Sequence, residues 1–180
     1  MSTNAIARRY ARALIQLASD QGTVEQYYTE LKAFCDALDA NPMIGDIFAT
    51  PGYGIEAKRG IVLSLIEPLN ISKTIADFLL LLLDKKRIEV LSWITAEYRS
   101  FADDAAGIVR SSVTSALPLT ETQVKGIRQA LETATGKKII MTVAEDPVLI
   151  GGVVTRIGDK VFDGSIRTQL AKIQDILQKG

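Results

Sequence analysis

The sequence predicts an α+β protein: a six-helix antiparallel bundle at residues 1–105, then a small mixed β-α-β-β-β-α domain at residues 106–180. Three observations support this prediction. Apolar residues recur at helical spacing, with short connections, as far as about residue 105. Beyond the segment ADDAAG at residues 102–107, the spacing of apolar residues becomes that of a strand. The apolar run FLLLLL at residues 78–83 indicates a helix that is buried all round or shared with a partner.

Composition excludes several classes of function. The 180 residues carry 21 basic and 21 acidic side chains, and this zero net charge argues against a general nucleic-acid surface. With no histidine and one cysteine, Cys35, the chain lacks the groups for histidine catalysis, Ser/His/Asp sites and ordinary zinc sites. Cys35 lies in an apolar helical stripe and is predicted to be a core residue. A single cysteine also fits a reducing cytoplasm.

The first helix is predicted to be apolar over an unusually wide arc. Ser2, Thr3 and Asn4 offer N-cap oxygens, and the helix runs to about Asp20. Two adjacent apolar stripes lie along it: Ile6, Tyr10, Ala13 and Leu17, and Ala7, Ala11, Leu14 and Ala18. The helix is therefore either buried deep in a bundle or shared between the core and a docked partner helix.

The next three helices are bounded by local signals. A capping-box pattern at residues 23–26 opens the second helix. Asn41 is predicted to cap a short third helix, with Pro42 at its first position. The fourth helix covers residues 56–67 and is stopped by Pro68.

The fifth helix contains the apolar run and is capped near Ser72. Three cations at residues 85–87 lie at its negative dipole end. The run is too short to span a membrane, which takes about 20 apolar residues. The sixth helix carries one apolar stripe: Ile88, Leu91, Ile94, Tyr98 and Phe101.

The second domain begins with a strand at residues 109–115, where apolar and polar residues alternate. A capping box at residues 120–123 then opens a helix that Gly136 ends. β-branched residues at 139–143 predict a second strand.

A third strand is predicted at residues 148–157. It contains Gly151 and Gly152, which suggest a bulge or a close approach of backbone. Gly158 and Asp159 predict a tight turn into a short strand at residues 160–162. Asp163 is then predicted to cap a last helix with apolar residues at Ile166, Leu170, Ile173 and Leu177.

No catalytic constellation stands out in the sequence. Asp103 and Asp104, like Glu145 and Asp146, are adjacent carboxylates, and sequence neighbours usually point apart. Surplus apolar helical surface without a catalytic site indicates an interaction protein rather than an enzyme, with no cofactor and no bound metal.

The segment DPVLIGGVVTRIGDKVFDGSIRTQL at residues 146–170 closely resembles the C-terminal signature of the delta subunit of F-type ATP synthases. This family is the bacterial counterpart of the mitochondrial oligomycin-sensitivity-conferring protein. The signature combines a glycine pair, a strand, G-D, a short apolar strand, and D-G-S-[IV]-R followed by leucine. The segment ARRYARAL at residues 7–14 resembles the family's first helix, and the predicted architecture is similar over essentially the whole chain.

The resemblance implies a stator subunit that catalyses nothing. In the family, the N-terminal bundle binds the amphipathic N-terminal helices of the alpha subunits on top of the catalytic head. The C-terminal domain holds the ends of the b subunits of the peripheral stalk. The joint resists rotational torque during proton-driven ATP synthesis. The resemblance also implies one copy per complex, peripheral to the cytoplasmic face of the bacterial inner membrane and not inserted in it.

The resemblance further implies two sets of site residues. The family's groove for the alpha-subunit helix lies between the first and fifth helices, which nominates Tyr10, Ala13, Leu14, Leu17, Ala76, Leu79, Leu80 and Leu83. The sequence leaves open which of these face the partner and which face the core. The stalk-side motif comprises Gly151, Gly152, Asp163, Gly164, Arg167 and Leu170. For the glycines and Asp163, a role in holding the fold is favoured over direct contact.

A nucleic-acid-binding adaptor is the alternative, because small mixed α/β modules often bind RNA. Such a module needs a basic face or exposed stacking aromatics on its sheet. The second domain offers only Phe162, which argues against this alternative.

Overall fold

The computed structural model describes residues 3–50, 52–158 and 160–179. The predicted cap at Ser2 and turn position at Asp159 lie outside these residues. The prediction of a mixed fold of helices and sheet is confirmed. The chain divides into two compact units between Ala102 and Asp103.

Within the described residues, the first unit holds six α-helices and a short 3₁₀ helix at Ile88–Val90. The α-helices are α1 (Thr3–Gln21), α2 (Val24–Asp39), α3 (Pro42–Ala49), α4 (Ile55–Ile66), α5 (Lys73–Asp84) and α6 (Leu91–Ala105).

The unit boundary falls inside α6, whereas the sequence placed it after residue 105. Asp103 and Asp104 belong to the second unit and pair there with basic residues. Arg110 Nε lies 2.6 Å from Asp103 Oδ2, and Lys137 Nζ lies 3.6 Å from Asp104 Oδ1. These ion pairs attach the end of α6 to the second unit.

The core of the first unit is apolar and draws on each of its helices. α1 contributes its alanine-rich stripe, and the small side chains let neighbouring helices approach closely. α5 contributes Ile75, Leu79, Leu82 and Leu83, all at most 2% exposed. Tyr98 is also buried, and its hydroxyl donates to the carbonyl of Val24 over 3.0 Å.

The capping box predicted at the start of α2 is absent. Thr23 makes no side-chain cap bond, and the Gln26 amide donates instead to Glu30. The reason lies in the preceding helix. Gly22, at φ +67, ends α1 by turning the chain so that the Thr23 N–H bonds the carbonyl of Ala18.

The caps predicted for α3 and α5 are also replaced by other bonds. The Asn41 amide donates to the carbonyl of Ala37 instead of capping α3. Ser72 holds the N-cap position of α5 but makes no cap bond of its own; its N–H and its hydroxyl donate to the Glu30 carboxylate of α2, over 2.9 and 2.6 Å. The start of α5 is thus held by tertiary structure.

The second unit has the element order β1 (Ile108–Ser115), α7 (Glu121–Thr135), β2 (Lys138–Glu145), β3 (Val153–Ile157), β4 (Lys160–Asp163) and α8 (Ile166–Lys179). The sheet order is β2-β1-β3-β4. β1 pairs with β2 in parallel across α7, and the other two pairings are antiparallel. The capping box of Thr120 and Gln123 and the end of α7 at Gly136 are confirmed.

One face of the sheet is buried, and it carries serine and β-branched residues. By strand register this face carries Ser111, Val113, Ser115, Ile139 and Thr155, all buried. The third strand begins later than predicted, because residues 147–149 form a 3₁₀ turn and Ile150 adopts a positive φ of 66°. The glycine pair therefore precedes β3 rather than lying within it.

Candidate interaction surfaces

The two apolar stripes of α1 have different environments. Ala7, Ala11, Leu14 and Ala18 are at most 3% exposed and form the core-facing stripe. The other stripe lies beside it: Ile6 and Tyr10 are half-buried, and Ala13 and Leu17 are exposed. Leu17 is 40% exposed. This second stripe is the one available to a partner.

On α5, Phe78 faces α1. Its ring meets the Tyr10 ring edge-on, with centroids 6.2 Å apart and an interplanar angle of 67°. Leu81 lies one turn along the same flank of α5 and is 44% exposed. We name these side chains together the α1/α5 face: Ile6, Tyr10, Ala13, Leu17, Phe78 and Leu81.

The nominated residues of the two helices divide into three groups. Tyr10, Ala13 and Leu17 belong to the α1/α5 face. Leu14, Leu79 and Leu83 are buried in the core of the unit. Ala76 and Leu80 are half-buried on the opposite flank of α5 from Phe78.

That opposite flank of α5 faces α4. It also carries Asp84, whose carboxylate lies 2.8 Å from Arg59 Nη2 of α4. Phe78 and Leu81 were missed because the run at residues 78–83 is apolar at every angle, so no polar residue marks a flank.

Arg87 borders the α1/α5 face. Its Nη1 donates to the Tyr10 hydroxyl over 2.8 Å, and its guanidinium carbon lies 5.5 Å from the Tyr10 ring centroid. The half-buried Arg87 therefore fixes the orientation of the Tyr10 ring on this face.

In the second unit, the glycines of the signature join β3 to the start of α8. The N–H of Gly164 donates to the carbonyl of Val153 over 3.0 Å, and that of Ile166 to the carbonyl of Gly151 over 2.9 Å. Gly152 has φ +79, and a Cβ there would collide with the backbone of Gly164. These contacts support the fold-holding role.

Asp163 and Ser165 organise the first turn of α8. The Asp163 carboxylate accepts from the Ser165 N–H over 2.9 Å and from the Thr168 hydroxyl over 2.7 Å. These hydrogen bonds, chiefly those with Ser165, lower the pKa of Asp163 below its ordinary value. The helix cap itself is Ser165 rather than Asp163, because the Ser165 hydroxyl accepts from the Thr168 N–H over 3.2 Å.

Beyond its first turn, α8 exposes its apolar residues. Arg167 and Leu170, the remaining nominees, are both exposed. The α8 stripe comprises Ile166, Leu170, Ile173 and Leu177, which are 42%, 54%, 54% and 76% exposed. An amphipathic helix of a globular domain normally turns such a stripe to the core. Here the stripe is exposed and offers an apolar surface on which another helix can pack.

The rest of the described structure offers no catalytic chemistry. Cys35 is half-buried, 3.5 Å from the Thr95 hydroxyl, and burial raises the pKa of its thiol, which keeps it protonated and unreactive. No described group of histidine, cysteine and acidic residues could hold a metal ion. None of the described helices has the length and apolar character to cross a membrane.

The chain is similar to known proteins in both sequence and fold. Residues 6–177 match the family model for the ATP synthase delta (OSCP) subunit. The chain is 55% identical to ATP synthase subunit delta of Geotalea uraniireducens (strain Rf4) and 53% identical to that of Geobacter sp. (strain M21), in each case over the full length of both chains. A chain in the Toxoplasma gondii mitochondrial ATP synthase hexamer has the same fold, with a TM-score of 0.70 and 21% identity over 96% of this chain and 97% of that one.

Proposed function

The chain belongs to the ATP synthase delta (OSCP) subunit family, and on this premise we propose that it joins the catalytic head to the b subunits of the peripheral stalk. The family match over residues 6–177 supports this proposal and confirms the resemblance to the family seen in the sequence. A delta subunit is a non-catalytic stator component of an F-type ATP synthase. The nucleic-acid alternative finds no support in the family or in these relatives.

The α1/α5 face is the proposed binding site of an amphipathic helix from the N-terminus of an alpha subunit. A joint that bears torque must not dissociate during turnover, which calls for nanomolar affinity, about 12 kcal/mol. Burying one large apolar side chain contributes about 1.5–3 kcal/mol, so several anchors are needed. Tyr10, Leu17, Phe78 and Leu81 are large side chains that the first unit leaves partly or largely exposed. We infer that the six helices of this unit form an antiparallel bundle.

The α8 stripe is the proposed binding site of the b subunits. Its residues are spaced four, three and four apart, the pattern by which helices pair along an apolar seam. Arg167 and Leu170 lie on this exposed helix. Gly151, Gly152, Asp163 and Gly164 instead stabilise the junction between β3 and the first turn of α8. In this arrangement one copy of the chain is peripheral to the cytoplasmic face of the inner membrane.

Calorimetric titration of the full chain with a synthetic peptide of the alpha subunit's N-terminal helix tests the head-side proposal. We expect saturable binding of one peptide per chain, with a negative heat-capacity change. Leu81→Asp should abolish it. Leu63→Asp is the matched control, since Leu63 is 50% exposed on α4. Failure of the parent chain to bind, or equal losses in both folded variants, would contradict the proposal.

The stalk side is tested with a peptide of the C-terminal end of the b subunit. Ile173→Asp lies in the α8 stripe and should abolish binding. Ala171→Asp adds the same charge to an exposed position on another side of α8 and should leave binding intact. Binding that survives Ile173→Asp would remove the α8 stripe from the interface.

A further inference from the structure

The turn that precedes β3 holds Ile150 in a strained backbone conformation. Ile150 has φ +66 and ψ −38, and a β-branched residue rarely adopts a positive φ because its side chain crowds the backbone there. The turn is nevertheless closed by hydrogen bonds. The N–H of Ile150 donates to the carbonyl of Pro147 over 3.0 Å, and the N–H of Val148 donates to the Asp146 carboxylate over 3.0 Å. The surrounding structure therefore maintains the strain.

The strained conformation does not bury the Ile150 side chain. Ile150 is 65% exposed and Val148 is 59% exposed, whereas Leu149 between them is half-buried. A second large apolar side chain, Leu117, is 74% exposed just after β1. The carbonyl of Leu117 accepts from the Ser115 hydroxyl over 2.6 Å, which fixes the backbone at this position. Two large apolar side chains are thus presented to solvent from ordered backbone.

These side chains continue the α8 stripe beyond the first residue of the helix. Gly151 follows Ile150, and its carbonyl accepts from the N–H of Ile166, the first member of the stripe, over 2.9 Å. The Ile166 side chain covers Gly151, since a Cβ added to Gly151 would lie 2.5 Å from Ile166 Cδ1. Leu117 and Gly151 line the same cleft, which has a volume of about 280 Å³. Leu117, Ile150 and Ile166 therefore surround Gly151 and extend the apolar stripe.

We propose that Ile150 is an anchor residue for the b-subunit helix that packs on the α8 stripe, and that its strained backbone is retained for this contact. This inference rests on the proposed function and deepens it. A helix that lies along α8 and passes over Ile166 reaches Leu117 and Ile150, because the apolar surface is continuous. The occupant is thereby specified: an amphipathic helix whose apolar seam extends past the first turn of α8. Because the turn is ordered before binding, little conformational entropy is lost when the helix closes on it.

Ile150→Gly in the full chain distinguishes an anchor from a residue that only holds the fold. Glycine adopts a positive φ without strain, so the second unit should unfold at a higher urea concentration than in the parent chain. The same change removes the anchor, so affinity for a peptide of the C-terminal end of the b subunit should fall about 10- to 100-fold. Stability and affinity should therefore change in opposite directions, which a purely structural role would not produce.

Three further variants control for the backbone and for apolar surface in general. Ile150→Leu keeps an apolar side chain of similar size and should retain most of the affinity. Leu117→Ala removes the neighbouring side chain of the patch and should weaken binding without raising stability. Met43→Ala is the matched control, since Met43 is 76% exposed on α3 of the first unit, and it should leave affinity unchanged.

The outcomes separate this inference from the proposed function. If the peptide binds Ile150→Gly as tightly as the parent chain, the inference is overturned and the stalk-binding function stands. If Ile150→Gly is less stable than the parent chain or does not fold, Ile150 is a structural residue and the inference is likewise overturned. If the parent chain does not bind the peptide, both the inference and the stalk-binding function are overturned.

Discussion

The backbone of Gly164 occupies the position that a side chain on Gly152 would need. A Cβ on Gly152 would overlap the Gly164 carbonyl oxygen and lie 3.1 Å from the Ser165 Cα. Backbone cannot rotate away as the end of a flexible side chain can. Gly152 also has φ +79, which L-residues rarely adopt.

We therefore expect Gly152→Ala to destabilise the second unit by about 2–4 kcal/mol, combining the cost of positive φ with overpacking. Gly136→Ala is the matched control: its φ is +65, but nothing lies within 4 Å of the added Cβ. That variant should lose only about 1 kcal/mol. Hydrogen exchange of β3 and β4 peptides measures the difference, and equal losses would show that the close approach contributes nothing.

The pH dependence of the first turn of α8 follows from Asp163. Its folded pKa lies below the ordinary value, chiefly because of the bonds with Ser165. Its stabilisation is therefore complete above the unfolded pKa and is lost as pH falls below about 4, through the folded pKa. An NMR titration of the Ser165 and Thr168 amides should show this turn loosening with acid. Asp163→Asn keeps an acceptor but cannot titrate, so an unchanged acid transition in that variant would refute the assignment.

Glu30 supports the start of α5 from α2. It is 8% exposed and accepts from both the N–H and the hydroxyl of Ser72. Glu30→Ala should destabilise the first unit by about 1–3 kcal/mol, since the half-buried N–H and hydroxyl of Ser72 lose their acceptor. Glu25→Ala removes an exposed carboxylate of the same helix and should cost about 0–1 kcal/mol. Urea unfolding followed by circular dichroism compares the two, and similar midpoints would contradict the prediction.

Lys86 occupies a backbone conformation that glycine adopts without strain. Lys86→Gly should raise the stability of the first unit by about 0.5–1 kcal/mol, because φ +55 is costly for a residue with a Cβ. The neighbouring Lys85 has φ −82, so Lys85→Gly relieves no strain and should be destabilising. Urea midpoints of the two variants should shift in opposite directions. A loss of stability in Lys86→Gly would mean that its side chain makes a larger contribution than its backbone strain.

The sequence could predict those features of the fold that depend on residues close together in the chain. The capping box of Thr120 and Gln123 closes within one turn, so the residue pattern suffices. The change from helical to strand spacing likewise predicted the mixed fold. Thr23 shows the limit, because its pattern is equally good but its N–H is used to end the preceding helix. The competing bond depends on Gly22 and on the end of α1, outside the four-residue pattern.

The interaction surfaces were only partly predictable. Tyr10 and Arg87 meet although 77 positions separate them, and no local pattern reports such a contact. In an all-apolar helix, the residue types cannot distinguish Phe78, whose ring meets that of Tyr10, from Leu79, which is buried in the core. The apolar spacing of α8 is the same whether its stripe packs within the chain or on another protein. Side-chain exposure in the folded structure was needed to separate these cases.

The exposure of the α8 stripe also affects the stability of the chain before it is incorporated into a complex. A lone helix of 14 residues is marginal in water, and the α8 stripe is largely exposed, so that little apolar packing holds the far end of the helix. Its far end should therefore unwind transiently until a partner covers the stripe, exposing the peptide bond after Lys172 to trypsin. Protection of that bond would then report incorporation, and an unassembled surplus of the subunit would be the form that cellular proteases remove.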